Sequence, residues 1–165
     1  MLHHTEPHPD FDAIISAPGF ALGVRCDAKA VVETCFLNPC PAVPPCSPLA
    51  IEAVRQIEAW LADARFVFDL PTRARGTPFQ KQVWAAISAI PPGETRTYSA
   101  LATSIGRRTP RPVGNACGAN PLPILVPCHR VVASNGGLGG FARQRGGFLL
   151  DIKHWLLQHE ARSLR

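Results

Sequence analysis

The first third of the chain consists of short apolar runs separated by turn residues. The runs occupy residues 13–15, 20–24 and 30–32, and the pair Pro18-Gly19 stands between the first two. Apolar runs of this length, broken by turns, predict a small antiparallel β-sheet. Residues 38–48 then hold five prolines and predict a stiff surface loop.

Helical periodicity begins after this loop. Pro48 suits a first helical turn, and apolar residues follow at four-residue spacing: Leu49, Ala53, Ile57 and Leu61. This pattern predicts an amphipathic helix packed on the sheet. The turn-rich and basic residues after 70 indicate a domain boundary, so we expect an N-terminal lobe over 1–71 and a second lobe over 76–165.

The second lobe opens with a strong helix start signal. Thr77 can cap a helix, Pro78 fits its first position, and Gln80 can complete a capping box. One apolar face follows: Phe79, Val83, Trp84, Ile87 and Ile90. The sequence Pro91-Pro92-Gly93 predicts the end of this helix.

Two short helices are predicted next, separated by a turn at Gly106. The first covers about 98–105, and the second starts near Thr109-Pro110 or Pro112 and runs toward Ala119. This is a helix-turn-helix pattern, which is also a common packing unit without any role in DNA binding. The arginines at the turn and at the second helix favour nucleic acid: Arg107, Arg108 and Arg111. Since Arg111 precedes a proline, we expect it at the cap of that helix.

The last part of the chain carries a Cys-His pair. Residues 124–126 form an apolar run that predicts a buried strand ending at Pro127, so Cys128-His129-Arg130 would follow directly. A glycine-rich loop over 134–140 and a final helix containing residues 148–160 complete the predicted elements. The fold class is α/β, with a small sheet-and-helix lobe followed by a mostly helical lobe.

Composition and charge narrow the function. Apolar residues make up 46% of the 165, which is enough for a core and argues against disorder, and no apolar run reaches the roughly 20 residues that span a bilayer. We therefore expect a soluble, unexported protein of the cytoplasm, associated with the nucleoid if bacterial. Residues 1–70 carry 4 Lys/Arg and 9 Asp/Glu (−5), whereas residues 71–130 carry 8 and 1 (+7). A local basic segment indicates a polyanionic partner, or alternatively a solvated basic face.

Cys128 has two interpretations. A free cysteine is often a buried structural thiol, whereas one placed between a proline and a glycine-rich loop is a candidate nucleophile. A thiol of ordinary pKa needs a base, which His129 can provide through a water, and Glu160 in the last helix can orient that histidine.

Three segments together resemble the O6-alkylguanine-DNA alkyltransferases. These are residues 76–84, residues 90–98 and residues 120–132, the last containing Asn-Pro-x-Pro followed by Pro-Cys-His-Arg-Val. The similarity covers about 76–140 and resumes at 155–160. The resemblance implies a DNA repair protein that flips O6-alkylguanine, chiefly O6-methylguanine, out of duplex DNA and transfers the alkyl group irreversibly to its own Cys128. It would act once per molecule, without a cofactor, as a monomer bound to double-stranded DNA through the minor groove.

The resemblance also implies roles for individual residues. Cys128 would be the acceptor, His129 its base and Glu160 the orienter, with Asn120 bracing the turn and Tyr98 donating toward the guanine. Arg111 would replace the extruded base. Other residues implied at the DNA surface are Arg107, Arg108, Thr95, Cys117 and Gly118. The substrate pocket would be lined by Tyr98, Pro123, Val131, Phe141, Ala142 and Arg143, with the carbonyls of Cys128 and Val131 accepting from the exocyclic amine.

Other interpretations remain open at this point. A protein that binds alkylated DNA without chemistry would share the helix-turn-helix, and a Cys-His hydrolase would share the thiol and the base. A zinc site in the N-terminal lobe is disfavoured because Cys26, Cys35, Cys40 and Cys46 lack the close Cys-x-x-Cys spacing of structural sites. We therefore predict no metal.

Overall fold

The computed structural model describes residues 10–135, 137–139 and 147–165. The chain divides into two compact units, Met1–Arg75 and Gly76–Arg165. None of the described helices is long and apolar enough to cross a membrane.

The first unit contains a three-stranded antiparallel sheet. Its strands are β1 (Ala13–Ala17), β2 (Phe20–Cys26) and β3 (Val31–Leu37), in the order β1-β2-β3. The predicted antiparallel sheet is confirmed. The turn between β1 and β2 uses Gly19 at φ 83°, a left-handed conformation that glycine adopts without steric cost.

Helix α1 (Pro48–Ala62) packs against this sheet, and the predicted helix is confirmed. The hydroxyl of Ser47 caps it by accepting from the backbone N–H of Ala50. Its buried side is rotated from the predicted one and consists of Ala50, Ala53, Gln56, Ile57 and Trp60. The large Trp60 side chain is 1% exposed, and burying it turns Leu49 and Leu61 toward the edge of the interface.

The described residues of the second unit form four α-helices and a two-stranded parallel sheet. They are α2 (Pro78–Ser88), β4 (Arg96–Thr97), α3 (Tyr98–Ser104), α4 (Arg111–Gly118), β5 (Val131–Val132) and α5 (Phe148–Ser163). Helix α2 begins with the predicted capping box, in which Thr77 and Gln80 bond each other's backbone N–H groups. Trp84 on α2 donates to the carbonyl of Ala116 on α4 at 2.8 Å, and this hydrogen bond anchors α2 to the helix-turn-helix.

The helix-turn-helix pair has the predicted elements with one correction. Helix α3 is followed by Gly106 at φ 76°, and α4 starts at Arg111 with Pro110 as its N-cap. The expectation that Arg111 caps α4 is wrong, because the cap lies one residue earlier. A proline at the second helical position leaves no missing intrahelical hydrogen bond, so Arg111 can occupy the first turn.

The predicted strand over residues 124–126 is also wrong. Ile124 has φ 74°, and the N–H of Val126 bonds the carbonyl of Leu122 at 2.8 Å, so the chain turns sharply where an extended strand was expected. A left-handed conformation is costly for a β-branched residue. Surrounding packing holds it, since Ile124 is 3% exposed. The acceptor candidate thus follows a strained turn rather than a strand.

Candidate active site

Asn120 holds the segment that presents Cys128. Its side-chain oxygen accepts from the N–H of Leu122 at 2.9 Å, and its amide nitrogen donates to the carbonyl of Val126 at 2.9 Å. The same nitrogen lies 3.1 Å from Sγ of Cys128. One side chain therefore fixes both ends of the strained turn and reaches the sulfur.

Cys128 begins a short 3₁₀ turn, Cys128–Arg130, and is 5% exposed. A side-chain hydrogen bond with Cys117, together with burial, raises the pKa of its thiol well above the ordinary value. The amide of Asn120 and the positive charge of Lys153 act in the opposite direction. In the protein without DNA, Cys128 is therefore a protonated thiol at neutral pH, and its reaction requires a base.

His129 and Glu160 form a buried pair beside this thiol. Nε2 of His129 lies 2.7 Å from Oε1 of Glu160, and the two side chains are 1% and 0% exposed. Because the glutamate engages Nε2, the other ring nitrogen, Nδ1, is the one through which the histidine can exchange a proton.

The carboxylate of Glu160 also accepts hydrogen bonds from two further residues, Arg130 and Gly93. Arg130 donates to Oε1 through Nε at 2.8 Å, and its other arm donates to the carbonyl of Ile90 at 2.6 Å. The N–H of Gly93 donates to Oε2 at 3.0 Å. Gly93 has φ 80°, a conformation that residues with a Cβ rarely adopt, so this turn requires glycine. The predicted turn at 91–93 therefore both ends the segment after α2 and binds the carboxylate of Glu160 through the N–H of Gly93.

Burial and hydrogen bonding have opposite effects on the pKa values of His129 and Glu160. Burial raises the pKa of Glu160, but the hydrogen bonds from His129, Arg130 and Gly93 outweigh it and bring the pKa to about 2. For His129, burial is the largest effect and lowers the pKa, although Glu160 acts to raise it. The result is an ionised glutamate beside a neutral histidine, which is the protonation state that a general base needs.

Tyr98 and Lys153 lie close to each other, and each interacts electrostatically with the thiol. Tyr98 opens α3, and its ring approaches Gly114 of α4 and Gly139 of the glycine-rich loop. Burial raises the pKa of Tyr98, with further contributions from Cys117 and Cys128, so its hydroxyl is a proton donor at neutral pH.

Lys153 was not predicted from the sequence. It is 0% exposed, donates to the carbonyls of Val131 at 2.7 Å and Leu138 at 2.5 Å, and lies 5.8 Å from the ring centre of Tyr98. Burial lowers its pKa to about 8. The signal that could have revealed it is a lysine on the apolar side of α5, next to the buried Ile152.

The arginines predicted to face DNA are on the surface. Arg107, Arg108 and Arg111 are exposed, and the guanidinium of Arg107 lies 4.4 Å from the ring centre of Phe79. Thr95 is also exposed. The remaining two residues of that predicted set differ: Gly118 is half-buried, and Cys117 is buried with 8% exposed.

The predicted pocket residues are only partly described. Val131 is fully buried and Pro123 half-buried. The carbonyl of Val131, expected to accept from guanine, already accepts from Lys153. Phe141, Ala142 and Arg143 lie outside the described residues. Within the described part of the chain, no group of three or more His, Cys, Asp or Glu side chains could hold a metal ion.

A helix-turn-helix with exposed arginines, in the same unit as a cysteine whose neighbouring histidine is held by a buried carboxylate, is the arrangement expected of a DNA-binding protein with a reactive thiol. Residues 78–162 match the family described as 6-O-methylguanine DNA methyltransferase, DNA binding domain. The chain belongs to this family, and the resemblance found in the sequence is confirmed.

Individual relatives agree with this assignment. A methylated-DNA–protein-cysteine methyltransferase of Methanosarcina barkeri is 49% identical over 115 residues, covering 69% of this chain and 70% of the relative. The constitutive methylated-DNA–protein-cysteine methyltransferase of Bacillus subtilis is 42% identical over 120 residues, with coverages of 72% and 70%.

Solved structures extend the likeness to the whole fold. The O6-methylguanine methyltransferase of Mycobacterium tuberculosis aligns over 91% of this chain and 92% of its own, with a TM-score of 0.75 and 33% identity. The structure of Mycobacterium tuberculosis OGT in complex with DNA aligns over the same shares, with a TM-score of 0.73 and 32% identity. The predicted α/β fold class is confirmed.

Proposed function

We propose that this protein repairs DNA by transferring the alkyl group of O6-alkylguanine, chiefly O6-methylguanine, to its own Cys128. Family membership supports the reaction class. The observation that carries the assignment of residues is the 2.7 Å contact between His129 and Glu160, directly after a thiol that is protonated without a base. The 3₁₀ turn thus carries the nucleophile and the base, and α5 supplies the group that orients the base.

The transfer is a displacement at the alkyl carbon. The sulfur of Cys128 forms a bond to this carbon while the bond between the carbon and guanine O6 breaks. The thiol proton passes through a water to Nδ1 of His129, and the resulting imidazolium is stabilised by ionised Glu160. The thioether product does not release the alkyl group, so each protein molecule reacts once and no cofactor takes part.

Negative charge develops on the leaving guanine and needs a donor. Tyr98 keeps its proton at neutral pH and borders the thiol, so its hydroxyl donates to the guanine edge as the C–O bond breaks. Asn120 has a different task. It fixes the turn and donates to Sγ, which favours the thiolate form of the acceptor.

Helix α4 carries the contact with DNA. Its sequence, RPVGNACG, has small side chains at 114, 116 and 118, so its backbone can approach a groove only about 6 Å wide. We place α4 in the minor groove, with the exposed Arg111 filling the space of the flipped base. Extruding a base costs a few kcal/mol, which contacts of Arg107 and Arg108 with phosphates offset.

The test of the reaction uses duplex DNA with a labelled methyl group on O6 of one guanine. Under single-turnover conditions, we expect one label per protein chain, located on Cys128 by peptide mass, and none in Cys128→Ala. Bound but unmodified DNA would instead indicate a binding protein, and repeated turnover on an activated ester would indicate a hydrolase. Sedimentation of the labelled complex at the same concentration tests the expected monomer.

The test of the DNA contact compares Arg111→Ala with Arg165→Ala, which removes an equally exposed arginine at the end of the chain. A 2-aminopurine placed next to the lesion reports base extrusion by its fluorescence. We expect Arg111→Ala to bind the duplex while losing most of the fluorescence rise, and Arg165→Ala to behave as the parent. An unchanged signal in Arg111→Ala would contradict the assigned role.

A further inference from the structure

Arg130 ends the 3₁₀ turn that carries Cys128 and His129, and the reaction described above gives it no part. Its side chain is 8% exposed. One edge of the guanidinium group contacts Oε1 of Glu160, through Nε at 2.8 Å and Nη2 at 2.7 Å. Nη1 donates to the carbonyl of Ile90 at 2.6 Å. The cation is therefore buried and held from two directions.

Arg130 and His129 share one acceptor atom. Nε2 of His129 lies 2.7 Å from the same Oε1 that the guanidinium contacts, and the side chain of Glu160 is fully buried. The imidazole and the guanidinium therefore lie within the distance of about 4–6 Å over which one charge shifts the pKa of another group. Because an arginine stays protonated throughout the ordinary pH range, its charge is always present at this oxygen.

The charges around His129 act in opposite directions. A buried carboxylate without a cation beside it would favour the imidazolium form, and an imidazolium cannot accept the thiol proton of Cys128. Arg130 supplies that cation, and its charge acts to lower the pKa of His129, as the charge of Lys153 does. Glu160 acts to raise it. Because the guanidinium balances the carboxylate, burial decides the outcome and keeps the imidazole neutral.

We propose that Arg130 is a positioning residue that balances the charge of Glu160, so that His129 is held by the carboxylate and yet stays neutral and able to accept a proton. The charge balance depends only on the contacts among these three residues. Its consequence for methyl transfer rests on the proposed function, because only there does His129 act on Cys128. Glu160 by itself orients the histidine, and the guanidinium keeps the oriented histidine in the form of a base.

The other ionisable groups near this turn are accounted for among the described residues. Glu160 and Lys153 act on the imidazole from α5, and Arg130 acts on it from its own turn. Cys128 carries no charge at neutral pH, because its pKa is raised well above the ordinary value. The ring of His159 stacks on Trp155, and the remaining ionisable side chains of α5 and of α2, which also packs against the turn, are exposed: Lys81, Asp151, His154 and Arg162.

Arg130→Gln and Arg130→Lys form a matched pair of variants. Neither side chain has the planar fork of arginine, so both lose the joint contact with Glu160 and Ile90, whereas only lysine keeps a positive charge. The ring protons of His129 report its titration by NMR in the full chain, and their signal is assigned by its absence in His129→Asn.

The two variants should titrate differently. We expect the midpoint of His129 to move up by about one pH unit in Arg130→Gln, which is about tenfold in the protonation equilibrium, and to stay near that of the parent in Arg130→Lys. A midpoint that stays or falls in Arg130→Gln would overturn the proposal. So would equal upward shifts in both variants, because a purely structural role affects both alike.

A second comparison applies if Arg130→Gln does not fold, since this variant leaves the carboxylate of Glu160 buried without its cation. Arg130→Met combined with Glu160→Gln removes both charges of the pair, so no buried charge is left unpaired. The matched variant is Glu160→Gln alone, which keeps the guanidinium. We expect the midpoint of His129 to be lower in Glu160→Gln than in the double variant, and equal midpoints would contradict the proposed charge balance.

Methyl transfer is measured separately, under single-turnover conditions over the same pH range. As pH decreases, the rate in Arg130→Gln should fall at a higher pH than in the parent, by the same shift as in the NMR titration. If the parent transfers no methyl group, the proposed function fails, while the NMR titration still decides the role of Arg130. If the titration of His129 shifts but the two rate profiles coincide, the role of Arg130 in the reaction is refuted.

Discussion

Replacing Glu160 by glutamine tests how the site is held together. The carboxylate accepts three hydrogen bonds from three residues: His129 and Nε of Arg130 on Oε1, and the backbone N–H of Gly93 on Oε2. Nη2 of Arg130 also lies 2.7 Å from Oε1 and completes the ion pair. The amide of glutamine keeps one acceptor oxygen and presents an NH₂ group in place of the other. In either orientation, that group faces an N–H donor, and Arg130 loses its buried counter-charge.

Two routes give the size of the effect. A pKa of about 2 against an ordinary 4.5 means that folding favours the ionised form by about 3 kcal/mol, since each pKa unit is about 1.4 kcal/mol. Breaking a buried ion pair by removing one partner typically costs about 3–5 kcal/mol. We therefore expect Glu160→Gln to lower the free energy of unfolding at pH 7 by about 3 kcal/mol.

The pH dependence makes the prediction specific to ionisation. Because the folded pKa is depressed, the stabilising contribution of Glu160 is complete above pH 4.5 and is lost as pH falls toward 2. The difference between parent and variant should therefore shrink over this range. Urea unfolding followed by tryptophan fluorescence measures it, since Trp84 and Trp155 both lie in the second unit.

Glu94→Gln is the matched control. It makes the same chemical change in the same unit, but the side chain of Glu94 is 53% exposed and its contact with Arg96 is 3.5 Å, so we expect a change below about 1 kcal/mol. A loss of less than about 1 kcal/mol in Glu160→Gln, or a difference that stays constant between pH 7 and pH 2, would refute this account of the site.

Three further predictions concern the same unit. Because burial lowers the pKa of His129 below 6.5, more than half of the histidine is neutral at pH 6.5, so the single-turnover rate of methyl transfer should begin to fall only below that pH; a midpoint above 6.5 would contradict this. Lys153→Met removes the donor shared by Val131 and Leu138 and should speed hydrogen exchange near Leu138, whereas an unchanged exchange rate would show that this lysine does not order the loop. Trp84→Phe removes the indole donor to the buried carbonyl of Ala116, which then keeps only the 3.2 Å hydrogen bond from the N–H of Ala119, and should cost about 1 kcal/mol in urea unfolding; a near-zero cost would contradict the anchoring role.

Local sequence signals predicted the helices well because each carries its own start or stop. The capping box at Thr77 and the glycine at 106 act within a few residues, so the chain near them determines the structure. The pairing of His129 with Glu160 was suggested by the need of a catalytic histidine for an acidic partner and was also implied by the resemblance; the two residues are thirty-one positions apart and could not be joined by periodicity.

The failures have a common physical origin. Residues 124–126 have the composition of a strand, yet Asn120 and the packing around Ile124 hold them in a turn. Lys153 was not predicted because its partners are backbone carbonyls, which every residue has, so no sequence pattern identifies them. In both cases the deciding contacts, made by the side chains of Asn120 and Lys153, are not part of the apolar periodicity from which the elements were predicted.

The state of the acceptor follows from combining these contacts. A permanently ionised thiol would react with any small electrophile, and a protein that acts once would be consumed without repairing DNA. Here burial and Cys117 keep the proton on Cys128, while Asn120 and Lys153 limit the energy needed to remove it. The neutral His129 is already oriented by Glu160 to take that proton. In the proposed reaction, the thiol becomes nucleophilic when an alkylated base is in position to react, because the departing guanine then accepts the charge that makes the proton transfer favourable.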